Sequence, residues 1–280
     1  MIKLNVSQTD KIEIWQRDEE PSIYFDHWAL RIVSESNFLS DSIVKIIKAK
    51  NGTLCISWLS LLEFSEVSEC QCKQAEVFLN TLLPNIIFIN PNPFEVIEIE
   101  NERIKGITGP SPHLEPSYSE VLLCSEQTSQ NPLTFNRLLE YSTAKELGAS
   151  RENLAKTIIQ QVGALRGEMA GNRKFAQAVK SYIHQPIIGP RLTRQVVREA
   201  LRNFLIDPSV PFTANHAFDL LHAVVPVSYC NFVLLDSHWQ NLVERARTRL
   251  TNQGINLSLA QVYSKKNNGI EIFLGELKKF

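Results

Sequence analysis

The chain has 280 residues, 44% of them apolar, and a formal net charge of −1, the composition of an ordinary globular protein able to bury one large core. No apolar run approaches the roughly 20 residues that cross a bilayer, so a membrane partner is not expected. The small net charge conceals an imbalance, because residues 1–130 sum to about −9 and residues 131–206 to about +7.

From the start, Met1 to Glu20 alternate polar and apolar residues and carry charges throughout, which excludes a signal-peptide core and a transit peptide. The expected location is cytoplasmic. Ser22 to Asp26 is a β-prone run ending in an acid, and a helical pattern through Trp28, Leu30, Ile32 and Val33 follows. Asn51-Gly52-Thr53 matches a glycosylation sequon but reads as a turn. Thr53 to Ser57 is a second buried strand, and the pattern of Leu59, Leu61, Leu62 and Val67 opens a helix containing Glu63. Ile86 to Ile89 is a third strand, ended by Asn90-Pro91-Asn92-Pro93.

Proline and serine mark residues 107–117 as an exposed connection. Residues 131–205 then show helical periodicity, broken at Gly148 and at Pro186 to Pro190, and predict three to five helices. Asn215 to Val225 predicts a helix, Asn231 to Asp236 a strand, Trp239 to Leu250 an amphipathic helix and Ala260 to Ser264 a last parallel strand. The expected organisation is an α/β domain in two parts, residues 1–110 and 207–280, separated by a mainly helical insertion at 111–206. Cys55, Cys70, Cys72, Cys124 and Cys230 follow no disulfide framework, and the C-x-C spacing of Cys70 and Cys72 does not make a zinc knuckle.

Four acids stand out by position. Asp26 and Asp236 end strands, Glu63 lies in the helix after the second strand, and Asp219 lies in the helix before the strand that Asp236 ends. Ligands of open α/β sheets collect outside the carboxyl ends of the strands, so these distant acids can share one cleft. Clustered carboxylates raise each other's pKa or require cations, and hard oxygen donors suit Mg2+ or Mn2+. The chemistry this predicts is metal-assisted phosphodiester hydrolysis with water as nucleophile. His222 is one helical turn from Asp219 and reads either as a support for the cleft or as a core histidine, whereas His27 is expected to face away. No G-x-S-x-G elbow, phosphate-binding glycine loop or H-E-x-x-H zinc motif occurs. Within the basic block, Arg191, Arg194, Arg198 and Arg202 recur at helical spacing and form the candidate surface for a phosphate backbone.

Three stretches, IYFDHWAL, WLSLLEFSEV and HAFDLLHAVVPVSYCNFVLLDSHW, resemble the PIN-like nucleases over about residues 20–95 and 210–265. The resemblance implies a three-layer fold with a parallel sheet, Mg2+- or Mn2+-dependent endoribonuclease activity, and Asp26, Glu63, Asp219 and Asp236 as metal ligands. A toxin-like role with an inhibitor protein, or a homo-oligomer, fits the same resemblance. Asn231 stands where an aspartate is common in the family, which implies a neighbouring metal site with one charge fewer. That departure motivates the alternative of a catalytically degenerate nucleic-acid-binding or scaffold protein; structured DNA is the alternative substrate.

Overall fold

The computed structural model describes the backbone of residues 2–6, 12–16, 18–65, 68–107, 109, 111–115, 147–181, 192–252, 254 and 257–280. The basic-block positions Pro186 to Arg191 lie outside the described residues.

The chain opens with β1 (Ile2–Val6) and β2 (Ile12–Gln16), an antiparallel ribbon in which Ile2 faces Gln16 and Val6 faces Ile12. No element was expected there. The alternation of polar and apolar residues that excludes a leader is the period of a strand.

The main sheet has five parallel strands: β3 (Ser22–Phe25), β4 (Thr53–Ile56), β5 (Ile86–Phe88), β6 (Phe232–Leu234) and β7 (Gln261–Tyr263). Their order is β5-β4-β3-β6-β7, with Tyr24 registered against Cys55 on one side and Val233 on the other. Strands β3, β4, β5 and β6 are buried along their whole length, as expected of a parallel sheet covered on both faces. Each strand stops short of its predicted carboxyl end, although the ladder continues through Asp26 N–H to Leu234 O (3.0 Å) and Leu235 N–H to Tyr263 O (3.0 Å).

Helices α1 (His27–Glu35), α2 (Asn37–Lys50), α3 (Trp58–Ser65) and α4 (Glu69–Leu82) lie between the first strands. The remaining described helices are α5 (Pro93–Ile104), α6 (Leu147–Gly171), α7 (Arg173–Ser181), α8 (Leu192–Ile206), α9 (Ala214–Tyr229), α10 (Ser237–Asn252) and α11 (Gly269–Lys279). Helices α1, α2, α4 and α11 pack together on one face of the sheet, and α5, α6, α8, α9 and α10 on the other, giving three layers. The split follows from chain direction. Right-handed crossovers from β3 toward β5 cover one face, the long return from β5 to β6 and the crossover to β7 cover the other, and α11, after β7, lies on the first.

Side-chain alternation along β3 serves both layers. Phe25 meets Phe78 of α4 at 6.5 Å and Phe273 of α11 at 6.0 Å between ring centroids, whereas Tyr24 points its hydroxyl toward α3 and α9. Each fully buried aromatic ring contributes roughly 2–3 kcal/mol relative to exposure. Two backbone positions fix the edges. Asn51 ends α2 in the left-handed conformation (φ 53°), and a Cβ on Gly52 would lie 2.7 Å from the Pro21 carbonyl oxygen, beside the bond from Thr53 N–H that starts β4. Helix α6 starts at Leu147, beside Gly148, where a break was expected; the preceding stretch 131–146 lies outside the described residues.

Candidate metal centre

The strand order reverses between β3 and β6, and the crevice outside their carboxyl ends is where ligands of such sheets bind. Asp26 stands there. Its extended backbone ends β3, and its side chain caps α1 by accepting the His27 N–H at 2.7 Å. Glu63 reaches the same crevice from α3, and His222 reaches it from α9. One ligand atom each from Asp26, Glu63 and His222 lies within 4.8 Å of the others.

The contacts around this group are short. Glu63 Oε1 is 3.1 Å from His222 Nε2 and 3.9 Å from the Arg151 guanidinium of α6, while Glu63 Oε2 is 3.5 Å from His27 Nδ1. His27, expected to face away, folds back over Asp26 with Nδ1 3.1 Å from Oδ1. Being the first residue of a helix capped by its own neighbour leaves its ring at the mouth of the crevice. Arg151 lies 4.4 Å above the Phe218 ring, next to Asp219.

Beneath His222 runs a chain of buried hydroxyls. Tyr24 Oη is 3.4 Å from His222 Nδ1 and 3.2 Å from Ser60 Oγ, which is 3.1 Å from Ser57 Oγ. Ser57 Oγ also accepts the Ser60 N–H at 3.3 Å, holding the first turn of α3. Pro226, inside α9, has no N–H to offer the carbonyl of His222 one turn earlier.

Titration behaviour follows from this crowding. Burial pushes the Asp26 carboxyl up, but the His27 hydrogen bond and the charges of His222 and His27 outweigh it and hold the group below its ordinary value. Hydrogen bonding to Asp26 raises His27 against the effect of burial. Burial pulls His222 down, yet its contact with Glu63 and the charges of Glu63 and Asp26 leave it raised.

Asp219 and Asp236 occupy the rim. Asp219 is exposed on α9, one turn before His222, and its carboxyl is raised by partial burial and by the charges of Asp236 and Asp26. Asp236 caps α10 by accepting the Trp239 N–H at 2.9 Å. Neither belongs to the group of three ligands. The four acids named from sequence thus divide into two inner carboxylates and two rim carboxylates, and His222 takes an inner position.

Asn231 is elsewhere. Its Oδ1 accepts from Ser22 N–H (2.7 Å) and from the Ser22 hydroxyl (2.9 Å), tying the amino ends of β3 and β6 together. Four residues of strand, on the order of 13 Å, separate that end from Asp26. The expected position beside the metal is therefore corrected.

The arginine stripe is corrected as well. Arg194 is exposed and Arg198 half-buried, but Arg202 is buried and donates to the Lys180 carbonyl at 3.1 Å. Helix α8, which carries Arg194, also begins far from the acids. Thr193 and Tyr229 both bond Glu100 Oε1, at 2.7 and 2.8 Å, and Tyr229 lies ten residues, on the order of 15 Å, along α9 from Asp219. Among the described residues of the basic block, Arg151 is the arginine that reaches the acids, 3.9 Å from Glu63; nothing in its sequence context distinguished it.

The donor set fits a divalent ion. Glu63 Oε2 and His222 Nε2 are buried without a hydrogen-bond partner, and the 3.1 Å approach of His222 Nε2 to Glu63 Oε1 lacks hydrogen-bond geometry. Two carboxylates and an imidazole nitrogen converging on one point can satisfy those atoms by sharing a cation. Among the described residues, no helix is long and apolar enough to cross a membrane. Comparison with known protein families, curated proteins and solved structures finds no match.

Proposed function

We propose that this chain is a PIN-like, metal-dependent endoribonuclease, with Asp26, Glu63 and His222 holding a divalent ion and Asp219 and Asp236 facing the substrate from the rim. The observation that carries the reading is the convergence of Asp26, Glu63 and His222 within 4.8 Å at the reversal point of a parallel sheet. Three similar motifs in the same order support it.

A divalent ion held by these groups supplies Lewis-acid polarisation of a phosphoryl oxygen and lowers the pKa of an attacking water. The protein's own groups do the rest. The chain of Tyr24, Ser60 and Ser57 orients His222, and the His27 and Asp26 contact fixes the carboxylate at the mouth. Arg151 brings a guanidinium to the acidic crevice, where it offsets repulsion of a phosphate backbone. A recess lined by Phe212, His216, Asp219, His238 and Trp239 opens beside the rim, and its aromatic and polar mixture suits an unpaired base. RNA is the favoured substrate on this reading, because single-stranded RNA exposes bases for such contacts. The degenerate alternative drew on Asn231, which sits at the opposite end of the sheet, so no feature of the crevice favours it.

The test is cleavage of a fluorescent single-stranded RNA, with a DNA oligonucleotide of the same sequence alongside, in manganese, magnesium or EDTA. Cleavage is expected with metal, absent in EDTA, and at least about 100-fold slower in Asp26→Asn and Glu63→Gln. Intact RNA under every metal, or cutting that survives both substitutions, sinks the nuclease reading.

A further inference from the structure

His222 is the least expected member of the centre, since magnesium sites are built from oxygen donors. Its side chain is 9% exposed and its Nε2 is buried without a hydrogen bond, pointing toward Glu63 and Asp26. A buried bare nitrogen of this kind is costly unless a proton donor or a metal ion meets its lone pair. A transition ion meets it directly, whereas magnesium, which prefers oxygen and keeps its waters, would reach it through a bound water.

The hydroxyl chain decides which nitrogen is bare. Tyr24 is fully buried, and its hydroxyl lies 3.2 Å from Ser60 Oγ and 3.4 Å from His222 Nδ1, the two partners open to its hydrogen. Donation to Ser60 makes His222 Nδ1 the N–H donor toward Tyr24 and leaves Nε2 as a lone pair. Donation to His222 Nδ1 would put the proton on Nε2, which would then need a proper hydrogen bond to Glu63, and the 3.1 Å approach does not have that geometry. The absence of a hydrogen bond from Nε2 to Glu63 fits the first arrangement. It is the form in which a histidine binds a metal while a supporting group holds its other nitrogen.

We propose that His222 binds the ion through Nε2 and thereby makes the centre select a divalent transition ion, with manganese as the probe, over magnesium. This deepens the metal-centre part of the nuclease reading and rests on it. An imidazole suits transition ions such as zinc or iron; manganese tolerates carboxylates and accepts a nitrogen beside them more readily than magnesium, which keeps its waters and takes oxygen donors.

The experiment is manganese binding to the purified full chain, followed by electron paramagnetic resonance and by competition with magnesium chloride. Manganese should bind at least about tenfold more tightly than magnesium, and the pulsed spectrum of the bound ion should carry a nitrogen coupling that shifts when the histidines are labelled with 15N. His222→Gln puts an amide oxygen near the imidazole position. It should abolish the coupling and cut manganese affinity by about 10–100-fold while magnesium affinity stays within about twofold. Tyr24→Phe should keep the coupling and weaken manganese binding by about tenfold, because Nδ1 loses its partner. A merely structural histidine would change both metals equally or neither. Equal affinity for the two ions, or a wild-type spectrum without histidine nitrogen, overturns the proposal, and the wild-type spectrum decides even where His222→Gln does not fold. RNA cleavage is read separately. A nitrogen-coupled manganese ion on a protein that leaves RNA intact would sink the nuclease and keep this site, whereas magnesium-supported cutting without the coupling would do the reverse.

Discussion

Asp219 bears part of the electrostatic cost of gathering acids at one sheet edge. Its carboxyl is raised by partial burial and by Asp236 and Asp26, so the folded chain holds this proton more tightly than the unfolded chain does. A raised carboxyl contributes stability that is fully present below its unfolded value and is lost as pH rises through the folded one. At neutral pH the metal-free protein therefore carries a penalty that Asp219→Asn removes. Because the residue is exposed, the gain is small, about 1–2 °C in melting temperature at pH 7 in EDTA, and it vanishes near pH 3.5. A variant that melts lower than wild type at pH 7 would contradict this. The same residue had a visible sequence signal, an acid between Phe218 and Leu220 in a helix before a strand. His27 had none, because only the cap geometry at Asp26 turns its ring back over the crevice.

Helix α8 shows what periodicity gives and withholds. Spacing of Arg194, Arg198 and Arg202 marked one helical face correctly, yet that face is not a solvated stripe. Glu199 is buried and takes two bonds from the Arg249 side chain of α10, while Arg202 reaches the Lys180 carbonyl at the end of α7. A charge pattern cannot tell a solvent-facing arginine from one that ties two helices, since both keep the head group hydrogen-bonded. The two roles predict opposite outcomes in urea. Arg194→Ala should leave stability within about 0.5 kcal/mol of wild type, whereas Arg202→Ala, which empties a buried site and strips a carbonyl of its donor, should cost about 2 kcal/mol. Equal effects would mean that Arg202 does not anchor α7. Strands were easier to read, because β3, β4, β5 and β6 are mainly apolar, wholly buried runs in a covered sheet; the predicted ends ran past them, where Asp26, Ile89 and Leu235 continue the ladder for one further bond.

Across the whole molecule, the centre joins residues from β3, α3 and α9, almost two hundred positions apart in sequence, and the sheet order alone brings them together. Sequence supplied the acids and the parallel sheet. It could not supply the end of the sheet at which Asn231 sits, because a residue next to a strand reads the same whether it precedes or follows the ligand crevice until register is known. With Phe232 registered against Ile23, Asn231 falls beside Ser22 and away from Asp26. An ion bound only by the folded centre stabilises the entire chain by mass action, about 2.7 kcal/mol at one hundred times its dissociation constant. For a chain of this size that is a rise of roughly 5 °C in melting temperature. Manganese at that concentration should produce the rise, EDTA should reverse it, and Asp26→Asn should abolish it. Asn231→Asp should leave the manganese-induced rise intact, although the new charge beside Glu20 lowers the starting temperature slightly. If Asn231→Asp instead enlarged the rise, position 231 would have to face the ion, and the strand register that separates the two ends of the sheet would be wrong.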